Sequence, residues 1–280
     1  ECMLRVLTHD DRSLSLPSPS ETAFLHRSKV PPGETRPLRI LLVEDNSVNQ
    51  RVALLQLKKL GYEPDTALNG EQAVAAVQAQ PYDVVLMDCH MPVMDGYTAT
   101  HRIREWEQQN NRPRLRILAM TADAGRGDAE HCYAAGMDDF ITKPVHLPEL
   151  NAALERVNTS ASAAEAGAPE RVEPAAPATA GDATLDFSVL NTLRDLSEPG
   201  QPDPVVELID LFMEDAPDRL RAMQTSLDRR DTEALKIAAH SLKGSAKNLG
   251  AKPLARICAE LEKQTLAADW DNALLTIKAI

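Results

Sequence analysis

The chain has few cysteines, few cations and no long apolar run, and each shortage excludes something. Its four cysteines, Cys2, Cys89, Cys132 and Cys258, form no C-x-x-C pair, so neither a disulfide framework nor a zinc site is supported and reduced thiols are expected. No stretch approaches the roughly 18 to 20 apolar residues that cross a bilayer. Asp10, Asp11 and Arg12 follow Leu4 to Leu7 too closely for the apolar core of a signal peptide. The segment is therefore expected in the cytoplasm, without direct membrane contact. Thirty Lys and Arg against 42 Asp and Glu give a net charge of −12, which argues against nucleic acid as a partner.

What is present suits about two domains. At 280 residues the chain can bury real cores. Pro17, Pro19, Pro31, Pro32 and Gly33 interrupt every candidate element in residues 1–36, which are expected to be a tail or linker with no assigned fold. Residues 158–184 are dominated by Ala, Pro, Ser, Thr and Glu, with Val172 the one large apolar side chain. Such a segment cannot offset its ordering entropy by burial and reads as a flexible linker. Two domains remain, at 37–157 and 185–280. Net charge is 0 over 1–36, −5 over 37–157, −3 over 158–184 and −4 over 185–280, so no part is basic overall.

Between Arg39 and Val157, short aliphatic runs alternate with amphipathic stretches, the pattern of a parallel α/β sheet. Strands are expected at 39–43, 63–67, 83–87, 115–120 and 139–142. Helices are expected after Ser47 as cap, after Asn69-Gly70, near Gly96, ending at Gly136, and after Pro148. Such a doubly wound sheet binds its ligand beyond the carboxyl ends of its strands. Glu44 and Asp45, Asp88, Thr121, and Lys143-Pro144 all fall at those ends. Clustered carboxylates call for a cation, and oxygen ligands suit Mg²⁺. A carboxylate oxygen could then attack a phosphoryl group while Thr121 and Lys143 disperse its charge, giving an aspartyl phosphate.

Leu41-Leu42-Val43-Glu44-Asp45-Asn46, Leu86-Met87-Asp88, Met91-Pro92-Val93-Met94-Asp95-Gly96, Met120-Thr121-Ala122 and Thr142-Lys143-Pro144 resemble a response-regulator receiver domain. The resemblance implies a flavodoxin-like fold with Asp88 as phosphoacceptor. It implies Mg²⁺ held by Asp45, Asp88 and the backbone carbonyl of His90, with Glu44 acting directly or through water. Thr121 and Lys143 would bind phosphoryl oxygens, Phe140 would fill the aromatic switch position, and the Lys143-Pro144 peptide would be cis. The His90 side chain is expected to adjust water access to the acyl phosphate, and Asp123 to tune the same hydrolysis.

From Asp186 onward the periodicity is helical: 187–196, 204–227, 232–249, 253–267 and 269–280, joined by short turns into an all-α antiparallel bundle. Leu235, Ala238, Ala239, Leu242, Ala246 and Leu249 form an apolar stripe, and 100° per residue turns His240 about 140° away from it. An exposed imidazole is expected. Gly244 lies one turn along the same face, where a glycine costs about 1 kcal/mol against Ala; its bareness would let another protein come close. Lys243 and Lys247 flank the face, with Lys236 at its edge, an environment suited to phosphoryl oxygens.

Ala239-His240-Ser241-Leu242-Lys243-Gly244-Ser245-Ala246 and Asn248-Leu249-Gly250-Ala251 resemble a histidine phosphotransfer (HPt) domain, with His240 as the residue phosphorylated. A receiver followed by such a domain resembles the end of a hybrid, or unorthodox, sensor histidine kinase. That resemblance implies an upstream histidine kinase core, expected in the same polypeptide and anchored in the inner membrane, and a downstream response regulator receiver as partners. No glycine-rich ATP-binding region is visible here, so the segment is expected to relay phosphoryl groups without using ATP. Alternatives are a phosphate sink at Asp88 draining His240, and a docking module independent of phosphorylation. An aspartyl phosphatase is disfavoured because His90 stands where such enzymes carry a second aspartate.

Overall fold

The computed structural model describes residues 38–122, 126–160, 185–197 and 200–280. The expected tail at 1–36, most of the linker, Cys2 and Asp123 lie outside them. Five strands, β1 (Ile40–Val43), β2 (Asp65–Ala67), β3 (Val84–Asp88), β4 (Arg116–Thr121) and β5 (Asp139–Thr142), form one parallel sheet in the order β2-β1-β3-β4-β5. This is the flavodoxin-like order. Each strand boundary lies within two residues of its expected place. β2 is the shortest because Asp65 and Thr66 at the sheet edge are exposed and only Ala67 is buried.

Strand period two divides the core. Leu41 and Val43 pack on one face of the sheet with Val85 and Met87, while Ile40 and Leu42 pack on the other with Val84 and Leu86. Both faces are covered, so every residue of β1 and β3 is buried. The covering helices are α1 (Ser47–Lys59), α2 (Gly70–Ala79), α3 (Gly96–Gln109), α4 (Arg126–Ala134) and α5 (Leu147–Ser160). Two expectations need correction. The cap of α1 is Asn46, whose side chain accepts from the Asn49 N–H, and Ser47 is the first helical residue; an Asn cap fills the same role. Helix α5 also continues to Ser160, past the expected linker start at 158.

The second part is helical throughout its described residues: α6 (Phe187–Arg194), α7 (Pro204–Arg229), α8 (Thr232–Asn248), α9 (Lys252–Leu266) and α10 (Trp270–Ala279). Asp203 and Asp231 cap α7 and α8. Leu235, Ala238, Ala239 and Leu242 form the expected stripe and meet Met223, Cys258 and Leu261 in the bundle core. A further apolar cluster joins the two parts: Val48 and Val52 of α1 pack among Leu190, Leu193, Leu208 and Leu249. The first helix of the α/β domain is thereby docked on the bundle. Cys89, Cys132 and Cys258 are buried and outside any disulfide, with the sulfurs of Cys89 and Cys132 3.9 Å apart.

Candidate functional site

The carboxylates gather where the sheet topology requires. Glu44 and Asp45 follow β1, Asp88 ends the adjacent β3, and one oxygen from each lies within 4.8 Å of the others. Lys143 Nζ, arriving from beyond β5, sits 2.5 Å from Glu44 Oε2 and 2.8 Å from Asp88 Oδ2. Its peptide to Pro144 is cis. The His90 N–H donates to Asp88 Oδ1 at 3.2 Å. Thr121 is buried at the end of β4 beside them. Gly96 explains how the loop after β3 folds back on the site, because a Cβ there would stand 2.1 Å from the Asp88 carbonyl oxygen.

Electrostatics make this pocket hungry for a cation. Burial, reinforced by Glu44 and Asp45 and partly offset by Lys143, pushes the Asp88 carboxyl up to about 8. Burial and the Glu44 charge push Asp45 up to about 6. Three crowded carboxylates, two of which resist ionisation, fit a hard divalent ion, whose double charge would reverse both shifts. Phe140 of β5 is half-buried, edge-on to Tyr133 at 6.4 Å between ring centres.

The bundle presents His240 directly to this pocket. Its ring centre lies 4.8 Å from that of His90, edge-on at 69°. The expected exposure is corrected accordingly: His240 does point away from its own bundle's core, but the α/β domain covers it and leaves it 9% exposed. Helical geometry foretold the direction, and the docked neighbour supplied the burial. That burial holds the imidazole below its ordinary pKa, against the opposing pull of Glu262, and burial with the nearby His240 and Lys236 lowers His90 to about 3.

Glu262 of α9 was invisible to sequence patterns, since nothing in a helical period says which neighbouring helix faces His240. Its Oε1 stands 3.0 Å from His240 Nδ1, off the ideal hydrogen-bond axis. Burial alone would raise Glu262, but the contacts with His240 and Lys243 outweigh it and hold the group low, hence ionised. An ionised carboxylate only accepts, so this contact favours the tautomer with the hydrogen on Nδ1 and the lone pair on Nε2. Lys243 pairs with the second oxygen of Glu262 and so serves the carboxylate as well as the imidazole's surroundings. Lys247, Lys243 and Gly244 line, with Glu44 and Lys143, a cavity of about 20 Å³ between the two parts.

Polar contacts fix the docking. Asn49 Nδ2 donates to Glu44 Oε1 at 2.9 Å, and Asn248 donates to Asn49 Oδ1 at 2.8 Å. Asn46 donates to Ser241 Oγ at 3.0 Å. A Cβ on Gly244 would stand 2.7 Å from Asn49 Nδ2, so the bare position does admit a neighbour, here held at both ends. Arg51 meets Glu207 at 2.8 Å, and Arg219 of α7 reaches Asp45 at 2.8 Å. Asn49, Arg219 and Glu262 carried no motif of their own.

Residues 40–155 match the response regulator receiver domain family and residues 207–279 the Hpt domain family. The sensor protein GacS of Pseudomonas syringae pv. syringae is 32% identical over 258 residues, covering 89% of this chain and 28% of GacS. Hybrid signal transduction histidine kinase F of Dictyostelium discoideum is 45% identical over 117 residues, covering 41% of this chain and 10% of that protein. Among solved structures, the receiver domain of the Pseudomonas aeruginosa sensor histidine kinase PA1611, with a magnesium ion coordinated in its active-site cleft, is 46% identical. It covers 45% of this chain and all of that one, at a TM-score of 0.41. The chain thus spans about a quarter or less of the curated relatives named here. No helix among the described residues is long and apolar enough to cross a membrane. The chain carries a response regulator receiver domain followed by an Hpt domain, and its relatives are hybrid histidine kinases.

Proposed function

We propose that this chain is the phosphorelay segment of a sensor histidine kinase, in which Asp88 takes a phosphoryl group from an upstream phosphohistidine and passes it to His240. His240 then donates to the receiver of a separate response regulator. The observation that carries this reading is the docking of His240 at the Asp88 pocket, its ring centre 4.8 Å from that of His90, whose backbone N–H donates to Asp88. We further propose Glu44, Asp45, Asp88 and the His90 carbonyl as holders of Mg²⁺, which when bound would neutralise charge on the phosphoryl oxygens.

The residues divide the work. Lys143, already on Asp88 Oδ2, and Thr121 would hold two equatorial oxygens of the aspartyl phosphate. The Nε2 lone pair of His240 attacks phosphorus, the bond from phosphorus to the Asp88 oxygen breaks, and Asp88 leaves as a carboxylate. Positive charge grows on the imidazole as the N–P bond forms, and Glu262 beside Nδ1 offsets it. Lys243 and Lys247 would receive the transferred oxygens on the bundle side. Phe140 would follow Thr121 when Asp88 is loaded, altering the face near β4 and β5. The chain between Ser160 and Leu185 would tether the domains so that docking is an intramolecular event.

Incubation with a radiolabelled phosphohistidine donor and Mg²⁺ tests the order. Label should reach His240 in the wild-type chain and fail to do so in Asp88→Asn. Label on His240 of that variant from the same donor would overturn the order.

A further inference from the structure

One of the cations at the receiver pocket is supplied by the other domain. Lys143 is engaged by Glu44 and Asp88, and Asp45 is met instead by Arg219 of the bundle. Nη1 of Arg219 donates to Asp45 Oδ2 at 2.8 Å and Nη2 to the Asp45 carbonyl oxygen at 3.2 Å. Its Nε holds Asp215 Oδ2, one turn back on α7, at 3.0 Å. Asp215 in turn accepts from Asn46 Nδ2 at 3.3 Å, which ties this pair to the cap of α1. The guanidinium side chain is 17% exposed, so it is a built part of the contact.

We propose that Arg219 is a counter-ion lent by the HPt domain to the receiver's metal site, and that it competes with a divalent cation for Asp45. This rests on the Mg²⁺ reading above. The carboxylate that binds the guanidinium belongs to the cluster that would bind the metal, and a divalent ion beside a guanidinium meets strong like-charge repulsion in a poorly solvated pocket. The bundle therefore neutralises the pocket when metal is absent and must release Asp45 when metal enters. Asp215 makes release inexpensive, because Arg219 keeps one carboxylate partner as it swings away. Linkage is reciprocal: docking lowers cation affinity by the same factor by which the cation loosens docking.

Mg²⁺ titration by calorimetry on the whole chain tests this without any measure of activity. Arg219→Met keeps an unbranched apolar stem and removes the charge; it should bind Mg²⁺ about fivefold or more tightly than wild type, the lower end of usual coupling factors. Arg219→Lys, which keeps a charge without the fork, should fall between the two and decides the question should the Met variant not fold. Equal or weaker Mg²⁺ affinity in the variants overturns the competition while leaving the metal reading intact. Absence of Mg²⁺ binding in wild type and variants alike overturns both.

Discussion

The two proposed phosphoacceptor sites are built on opposite electrostatic plans. The receiver pocket crowds Glu44, Asp45 and Asp88 around one lysine, and burial drives the Asp45 and Asp88 carboxyls up. The bundle site places one imidazole beside one ionised carboxylate and Lys243, and burial keeps that imidazole neutral. On the proposed reading, one site would need a cation to become reactive, whereas the other would be reactive as it stands. Transfer between them is plausible chemistry because the acceptor's lone pair exists before the donor arrives.

The largest effects should come from removing either acceptor. Asp88→Asn should abolish labelling of His240 by an upstream donor, and His240→Gln should leave Asp88 labelled while transfer to a downstream receiver falls by roughly 10³ or more; autoradiography of both partners checks this. Next comes the apolar contact. Val48→Asp puts an acid in the first turn of α1, where a helix tolerates it, yet charges a side chain packed against Leu208 and Leu249. Transfer from Asp88 to His240 should slow by about 10-fold or more, with the receiver's circular dichroism unchanged.

Gly244→Ala separates fold from docking. Ala should stabilise α8 by up to about 1 kcal/mol, seen as a higher unfolding midpoint of the separated bundle if that unit folds alone. The added Cβ should slow transfer in the intact chain by pressing on Asn49.

The smallest effect expected is in pH dependence, and its sign differs between the sites. Asp88 is raised in the folded state, so between about pH 4 and 8 folding takes up a proton at this site. Stability contributed there falls as pH rises, in the absence of divalent cation. His240 is lowered, so its contribution is present above the ordinary histidine pKa of about 6.5 and is lost as pH falls below it. Thermal melts in chelator should show Asp88→Asn flattening the decline between about pH 4 and 8 and His240→Gln flattening the loss below about pH 6.5.

Much of this was legible from residue order. The four strand ends that assemble Glu44, Asp45, Asp88, Thr121 and Lys143 are fixed by β-period runs and by the sheet's topology, and a parallel sheet leaves only one edge for them. The outward direction of His240 followed from 100° per residue. What was not legible is pairing across elements far apart in sequence. Asn49 reads as an ordinary helix residue, Arg219 as one charge among several on α7, and Glu262 as one of two glutamates on α9. Asn49 and Arg219 acquire their contacts across the two parts only when α1 docks on α7 and α8, and Glu262 meets His240 only when α9 packs on α8. Ser47 looked like the cap because Ser and Asn share that chemistry, and only the backbone at Asn46 decides between them.

A single-turnover time course most directly tests whether the docked pair is a transfer complex. The wild-type chain would be loaded from a phosphohistidine donor with Mg²⁺, quenched at intervals and mapped by mass spectrometry for phosphoryl on Asp88 and His240. Phosphoryl on Asp88 should appear first and decline in step with its rise on His240. A phosphorylated Asp88 that decays only to free phosphate, with His240 unlabelled throughout, would contradict the account.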